Sequence, residues 1–142
     1  MITHPHLQSL KRFFEQLQPD DVAHMGRLYG EHAYFRDPFN EVRGLAGVQR
    51  VFTHMFERLD SPRFRVRDAF AEGEQAFLTW DFVFRTRGSE RERSIHGSSH
   101  LRFAPDGKVI YHRDYWDAAE ELWETVPLLG GLLRWLKKRL RA

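Results

Sequence analysis

Asp37, His112 and Asp114 are the side chains of this 142-residue chain best suited to moving protons, because each is an ionisable group beside aromatic or apolar residues. A carboxylate in apolar surroundings serves as a base and, once protonated, as an acid. Asp37 is followed by Pro38, Phe39 and Asn40, so it also suits the simpler work of capping a turn or pairing with Arg36 or Arg43. His112 and Asp114 stand two residues apart in an alternating run, which puts both on one face of a strand. Side by side they can hold a single proton and shift it near neutral pH. The plainer alternative is a pair that satisfies only its own hydrogen bonds. His100 is a further candidate, since a bulge would turn it toward Asp114; without one it points outward with His96. His96, His100 and His112 form no contiguous ligand motif such as H-E-x-x-H, and the chain has no cysteine. No metal site, thiolate nucleophile or iron–sulfur cluster is therefore expected.

These groups need a frame. Leu7, Leu10, Phe13, Phe14 and Leu17 recur at helical spacing, and Pro19-Asp20-Asp21 ends that run and caps a second helix. The second helix carries Val22, Met25, Leu28 and Tyr29 and is expected to stop at Gly30. A short strand over Ala33–Arg36 leads into the turn at Asp37, and Gly44 opens a third helix whose apolar face runs from Val48 to Leu59. After Pro62 the period changes from helical to alternating. A strand begins at Phe64–Arg67, the next carries Leu78, Trp80, Phe82 and Phe84 on one face, and two more follow over Ile95–Phe103 and Val109–Trp116. Turns at Glu72–Glu74, Arg87–Glu90 and Pro105–Gly107 link them as hairpins, so the sheet is antiparallel and the class α+β.

The length fits one domain able to bury its own core, and 42% hydrophobic residues exclude a disordered chain. The net charge of +2 conceals a division: Arg134, Lys137, Lys138, Arg139 and Arg141 crowd a tail with no acidic residue after Glu124. The body is slightly acidic, and no basic reading face or motif points to nucleic acid. Residues 1–117 read as the domain and 118–142 as a helical extension, broken or kinked at Pro127. In that extension Leu129, Leu132, Leu133, Leu136 and Leu140 form a stripe that Leu128 and Trp135 widen. Burial of the stripe on or beside the protein's own body is the expectation, and an anionic membrane surface is the alternative. With no secretory leader pattern and no stretch of membrane-spanning length, a cytoplasmic location is expected.

The order helix, helix, short strand with Asp-Pro, helix, then four long strands resembles the NTF2-like superfamily, in particular its ketosteroid isomerase and SnoaL-like branches. The matching residues are Leu28–Ala33 before Phe35-Arg36-Asp37-Pro38, Arg43-Gly44, His100–Phe103 with Asp106–Val109, and Asp114-Tyr115-Trp116-Asp117. The resemblance implies a cone: a curved sheet packed on the helices, enclosing a largely apolar pocket, in a cofactor-free protein that dimerises through the convex sheet face. It places Asp37 where the isomerases keep their proton-shuttling aspartate. Their two oxyanion donors fall on Phe13 and Ser99; phenylalanine cannot donate, and serine is the weaker donor, so steroid isomerisation itself is not expected. The SnoaL-like cyclases carry a base within an Asp-x-Trp-Asp ending, which here is Asp114.

Alternation turns Leu78, Trp80, Phe82, Phe84, Gly97, Ser99, Leu101 and Phe103 inward, and by matching parity His112, Asp114 and Trp116 as well. Trp80, Phe82, Phe84, Ser99, Leu101 and Trp116, with Phe13 added by the resemblance, are the expected ligand-binding wall, and Asp37, Asp114, His112 and His100 are the catalytic candidates. The expected occupant is a small hydrophobic molecule carrying a carbonyl or hydroxyl, acted on by proton transfer of the isomerase, cyclase or hydrolase type. The alternative is a non-catalytic ligand-binding or protein-interaction module.

Overall fold

The computed structural model describes residues 4–118 and 127–141, apart from the side chains of residues 127–130 and 133. Helix α1 (Pro5–Glu15) starts where His4 Nδ1 accepts the Leu7 amide and Pro5 occupies the first turn. Its buried stripe is Leu7, Leu10 and Phe14. A 3₁₀ helix (Pro19–Arg27) buries Val22 and Met25. Strands β1 (Tyr29–Arg36) and β2 (Glu41–Arg43) form a hairpin, and α2 (Leu45–Arg58) follows a Gly44 whose φ of 96° favours glycine. The long strands are β3 (Leu59–Glu72), β4 (Gln75–Thr86), β5 (Glu92–Phe103) and β6 (Val109–Trp116). Helix α3 (Pro127–Leu140) comes last.

The six strands make a curved, unclosed sheet in the order β2-β1-β6-β5-β4-β3. Neighbours are antiparallel except β1 and β6, which run parallel. Register shifts in β3 bend the sheet around the helices. Leu10, Met25, Ala33, Val48 and Leu101 are fully buried where α1, the 3₁₀ helix and α2 meet the concave face.

The expected second helix ends earlier than its sequence suggests. Tyr29 and Gly30 lie inside β1, because Val109 N–H donates to Leu28 O at 2.7 Å and draws the chain beside β6. Pairing across the sheet thus overrides the helical spacing of Leu28 and Tyr29 and the glycine stop. β3 also starts before Pro62; as the outermost strand it tolerates a residue with no N–H to donate.

Leu132, Trp135, Leu136 and Leu140 on α3 are exposed, at 53%, 53%, 40% and 83%. Leu128, Leu129 and Leu133 of the expected stripe, and the chain from 119 to 126, lie outside what is described. Among the described residues no helix is long and apolar enough to cross a membrane.

Candidate functional site

The parity of β6 brings His112 and Asp114 to the concave face, and antiparallel pairing sets Ser99 opposite Asp114 and Gly97 opposite Trp116. β4 adds Leu78 beside Ser99 and Trp80 beside Gly97. The result is a line of polar groups through an aromatic core. Trp80 Nε1 donates to Ser99 Oγ at 2.8 Å, and Ser99 Oγ donates to Asp114 Oδ1 at 2.5 Å. His112 Nε2 lies 2.6 Å from the same oxygen, and His112 Nδ1 lies 2.6 Å from the Tyr29 hydroxyl.

Burial, and after it the Asp114 carboxylate, push the Tyr29 phenol well above its usual value of 10.0. Tyr29 therefore keeps its proton. The Asp114 carboxylate can only accept, so a neutral His112 carries its proton on Nε2, facing Asp114, and its Nδ1 accepts from the Tyr29 hydroxyl. In that arrangement every donor in the line ends on one carboxylate. His112 is 2% exposed and boxed by Phe14 and Phe35, whose ring centres are 5.7 and 4.8 Å away. No buried side-chain nitrogen or oxygen among the described residues lacks a partner.

Both hydrogen bonds to Asp114 fall on Oδ1, and the side chain keeps 13% of its surface exposed. It borders a cavity of about 460 Å³ that runs from the polar line toward the mouth of the cone. Phe35, Phe52, Phe64, Trp80, Phe82, Ile95 and Trp116 line it, together with Met55, Leu59 and Phe84. Polar groups border it at Asp37, Asn40, His54, Arg58, Thr86 and Arg93. A volume of this size suits a small ligand. Behind it, around Ser99 and His112, about 10 Å³ is left free, so the inner end is packed shut.

Of the expected wall, Trp80, Phe82, Phe84 and Trp116 line the cavity, while Ser99 lies just behind it as Asp114's donor. Leu101 is fully buried in the core and reaches no cavity. Phe13 does not face the site: the buried stripe of α1 passes through Phe14, which takes the place expected for its neighbour. One step along a helix turns a side chain by about 100°, which is the whole difference between them.

His100 is also corrected. β5 and β6 stay in register from Gly97 to Arg102, with no bulge, so His100 remains on the convex face. There its Nε2 lies 2.8 Å from Gln75 Oε1, and desolvation, then Arg102, holds its imidazole below the usual range.

Asp37 does cap the turn. Its Oδ1 accepts the Phe39 and Asn40 amides at 2.8 and 2.6 Å, and Asn40 Nδ2 reaches both carboxylate oxygens. It nevertheless borders the same cavity as Asp114, so the two carboxylates open into one space. Sequence reasoning missed Tyr29, assigned to a helix, and the rim residues Arg58 and Arg93. The parity that selected Gly97 and Ser99 also selects Arg93 on the same strand. Among the described residues no cluster of ligating side chains suited to a metal occurs.

The profile of the SnoaL-like domain family matches residues 10–112. Among solved structures, an NTF2-like protein from Burkholderia pseudomallei superposes with a TM-score of 0.73 at 14% identity, covering 83% of this chain and 95% of its own. A protein of ketosteroid isomerase-like fold from Catenulispora acidiphila, solved with trimethylamine, gives 0.71 at 11% identity and covers 85% and 92%. An LEH-like epoxide hydrolase from M. tuberculosis gives 0.68 at 16% identity and covers 94% and 96%. At such identities the likeness establishes the fold. No curated protein matches the sequence.

Proposed function

The chain belongs to the SnoaL-like family, and from that footing we propose that it is an acid–base enzyme acting on a small hydrophobic molecule with a carbonyl or hydroxyl group. The observation that carries the reading is Asp114, a carboxylate fixed through one oxygen by Ser99 and His112 at the inner end of an apolar cavity. Its other oxygen, Oδ2, takes no hydrogen bond among the described residues and is left to meet a bound molecule. There Asp114 removes a proton next to a carbonyl or activates a water. His112, already donating through Nε2, holds the carboxylate in place through both halves of the cycle. Asp37, tied into its turn yet bordering the same space, supplies a second proton-accepting group. The general acid–base step accounts for about a hundredfold or more in rate.

Proton exchange tests this. In D2O the protein should speed deuterium uptake at the carbons flanking the carbonyl of 2-decanone, followed by NMR. Asp114→Asn should remove most of that acceleration while 2-decanone still quenches Trp fluorescence. Binding without exchange in the wild type would overturn the enzyme reading and leave a ligand-binding module.

We propose also that two copies pair through the convex face, where Phe70, Phe77 and Tyr115 are exposed. A monomer by light scattering at micromolar concentration would overturn this.

A further inference from the structure

Strand register gives the cavity an axis. Asp114 pairs with Ser99 at the inner end; Trp80 and Trp116 flank Gly97 one step outward; Phe64, Phe82 and Ile95 form the next layer. Beyond them Arg93 pairs with Phe84 on the arm of β4 and β5 that outreaches β6. Arg93 has the parity of Ile95 and Ser99, so it belongs to the concave face and borders the cavity. Across from the sheet, α2 brings Arg58 to the same cavity from its last turn.

These two guanidiniums differ from others at the same end of the sheet. Arg63 is held by Glu92 and Arg87 by Asp60. Among the described residues neither the Arg58 nor the Arg93 guanidinium enters an ion pair, a hydrogen bond or a ring contact. Two unpaired positive charges thus close the outer end of an apolar cavity whose inner end holds a carboxylate. Within it, fields between charged groups are stronger than in bulk water.

We propose that the substrate is an elongated amphiphile with an acidic group at its outer end, bound by Arg58 and Arg93, and its reacting carbonyl or hydroxyl at Asp114. This rests on the catalytic reading above and names the substrate class for the same site. Guanidinium recognises carboxylate or phosphate through paired N–H donors. Ser99 and Arg93 are separated along β5 by roughly 20 Å of extended strand, and the Arg and Asp side chains reach into that span. A flexible chain of about ten carbons bridges the remainder, held by Phe64, Phe82 and Phe84.

A matched set of probes isolates the acidic group: 2-decanone, 9-oxodecanoate, which carries the same carbonyl on the same ten-carbon chain, and decyl phosphate. Affinities are read by Trp fluorescence and calorimetry at low and high salt. The expected result is that at least one of the two anions binds about tenfold or more tighter than 2-decanone at low salt. The advantage should shrink as salt rises and disappear in the Arg58→Gln/Arg93→Gln double variant. A gain shown by 9-oxodecanoate identifies a carboxylate, and one confined to decyl phosphate a phosphate ester. The Arg93→Lys variant should keep part of the advantage, since it keeps the charge.

Equal binding of all three probes, or an anion advantage that survives the double variant, would overturn the proposal while leaving the apolar-cavity reading intact. No binding of any of the three would overturn both.

Discussion

The Tyr29 hydroxyl lies 2.6 Å from His112 Nδ1, joining the first and last strands of the sheet 83 residues apart in the chain. The contact bears on which nitrogen of His112 carries the proton. Because the Asp114 carboxylate only accepts, a neutral imidazole presents its Nε2–H there, and its bare Nδ1 takes the Tyr29 hydroxyl proton as a hydrogen bond.

Tyr29→Phe should therefore change the tautomer of His112 without removing a group that meets substrate. Nitrogen-15 NMR should show the Nε2–H form in the wild type and a mixture, or a charged ring, in the variant. Leaving Nδ1 buried without a partner should cost about 1–3 kcal/mol of stability. Unchanged nitrogen shifts would mean that Tyr29 does not set the tautomer.

The same phenol makes stability depend on alkaline pH. The unfolded chain ionises Tyr29 near its usual 10.0, whereas the folded protein holds the proton to higher pH. The unfolded state thus binds fewer protons in that window. This contribution is fully present below pH 10 and lost as pH rises toward the folded value, by about 1.4 kcal/mol per unit. Urea unfolding above pH 10 should show a steeper fall for the wild type than for Tyr29→Phe, and parallel slopes would contradict the assignment.

Gly97 stands where the Trp80 indole crosses β5, and a Cβ there would collide with three carbons of that ring. The ring cannot yield freely, since its N–H is bonded to Ser99 and Phe64 packs edge-on against it at 5.5 Å. Gly97→Ala should cost about 1–3 kcal/mol and shift Trp emission as the indole loses Ser99. A variant with wild-type emission and melting temperature would show that the crossing has slack.

Removing residues after Pro127 bears on the fate of α3. Leu132, Trp135, Leu136 and Leu140 are exposed, and Arg134, Lys137, Lys138 and Arg139 share their helix. The expected outcome is an unchanged melting temperature and weaker binding to anionic vesicles, the pattern of a helix lying on a charged lipid surface. A lowered melting temperature would instead place the stripe on the body of the domain.

By itself the sequence determined the alternating strands from Leu78 onward, because a period of two leaves one choice of face once a few aromatic residues are placed. That arithmetic put Ser99, His112, Asp114 and Trp116 on the concave side, and the structure finds them there. It could not determine the partners of those residues. That Tyr29 belongs to a strand follows from β1 pairing in parallel with β6, a contact between distant segments that no local spacing encodes. That α1 turns Phe14 to the site and Phe13 aside depends on how the helix docks, since both fit its apolar face. Asp37 carried two readings in the sequence, and tertiary structure made it both a turn cap and a neighbour of Asp114's cavity. Alternation is written in the chain because it is local; the proton line and the charged mouth arise where separate strands and a helix converge.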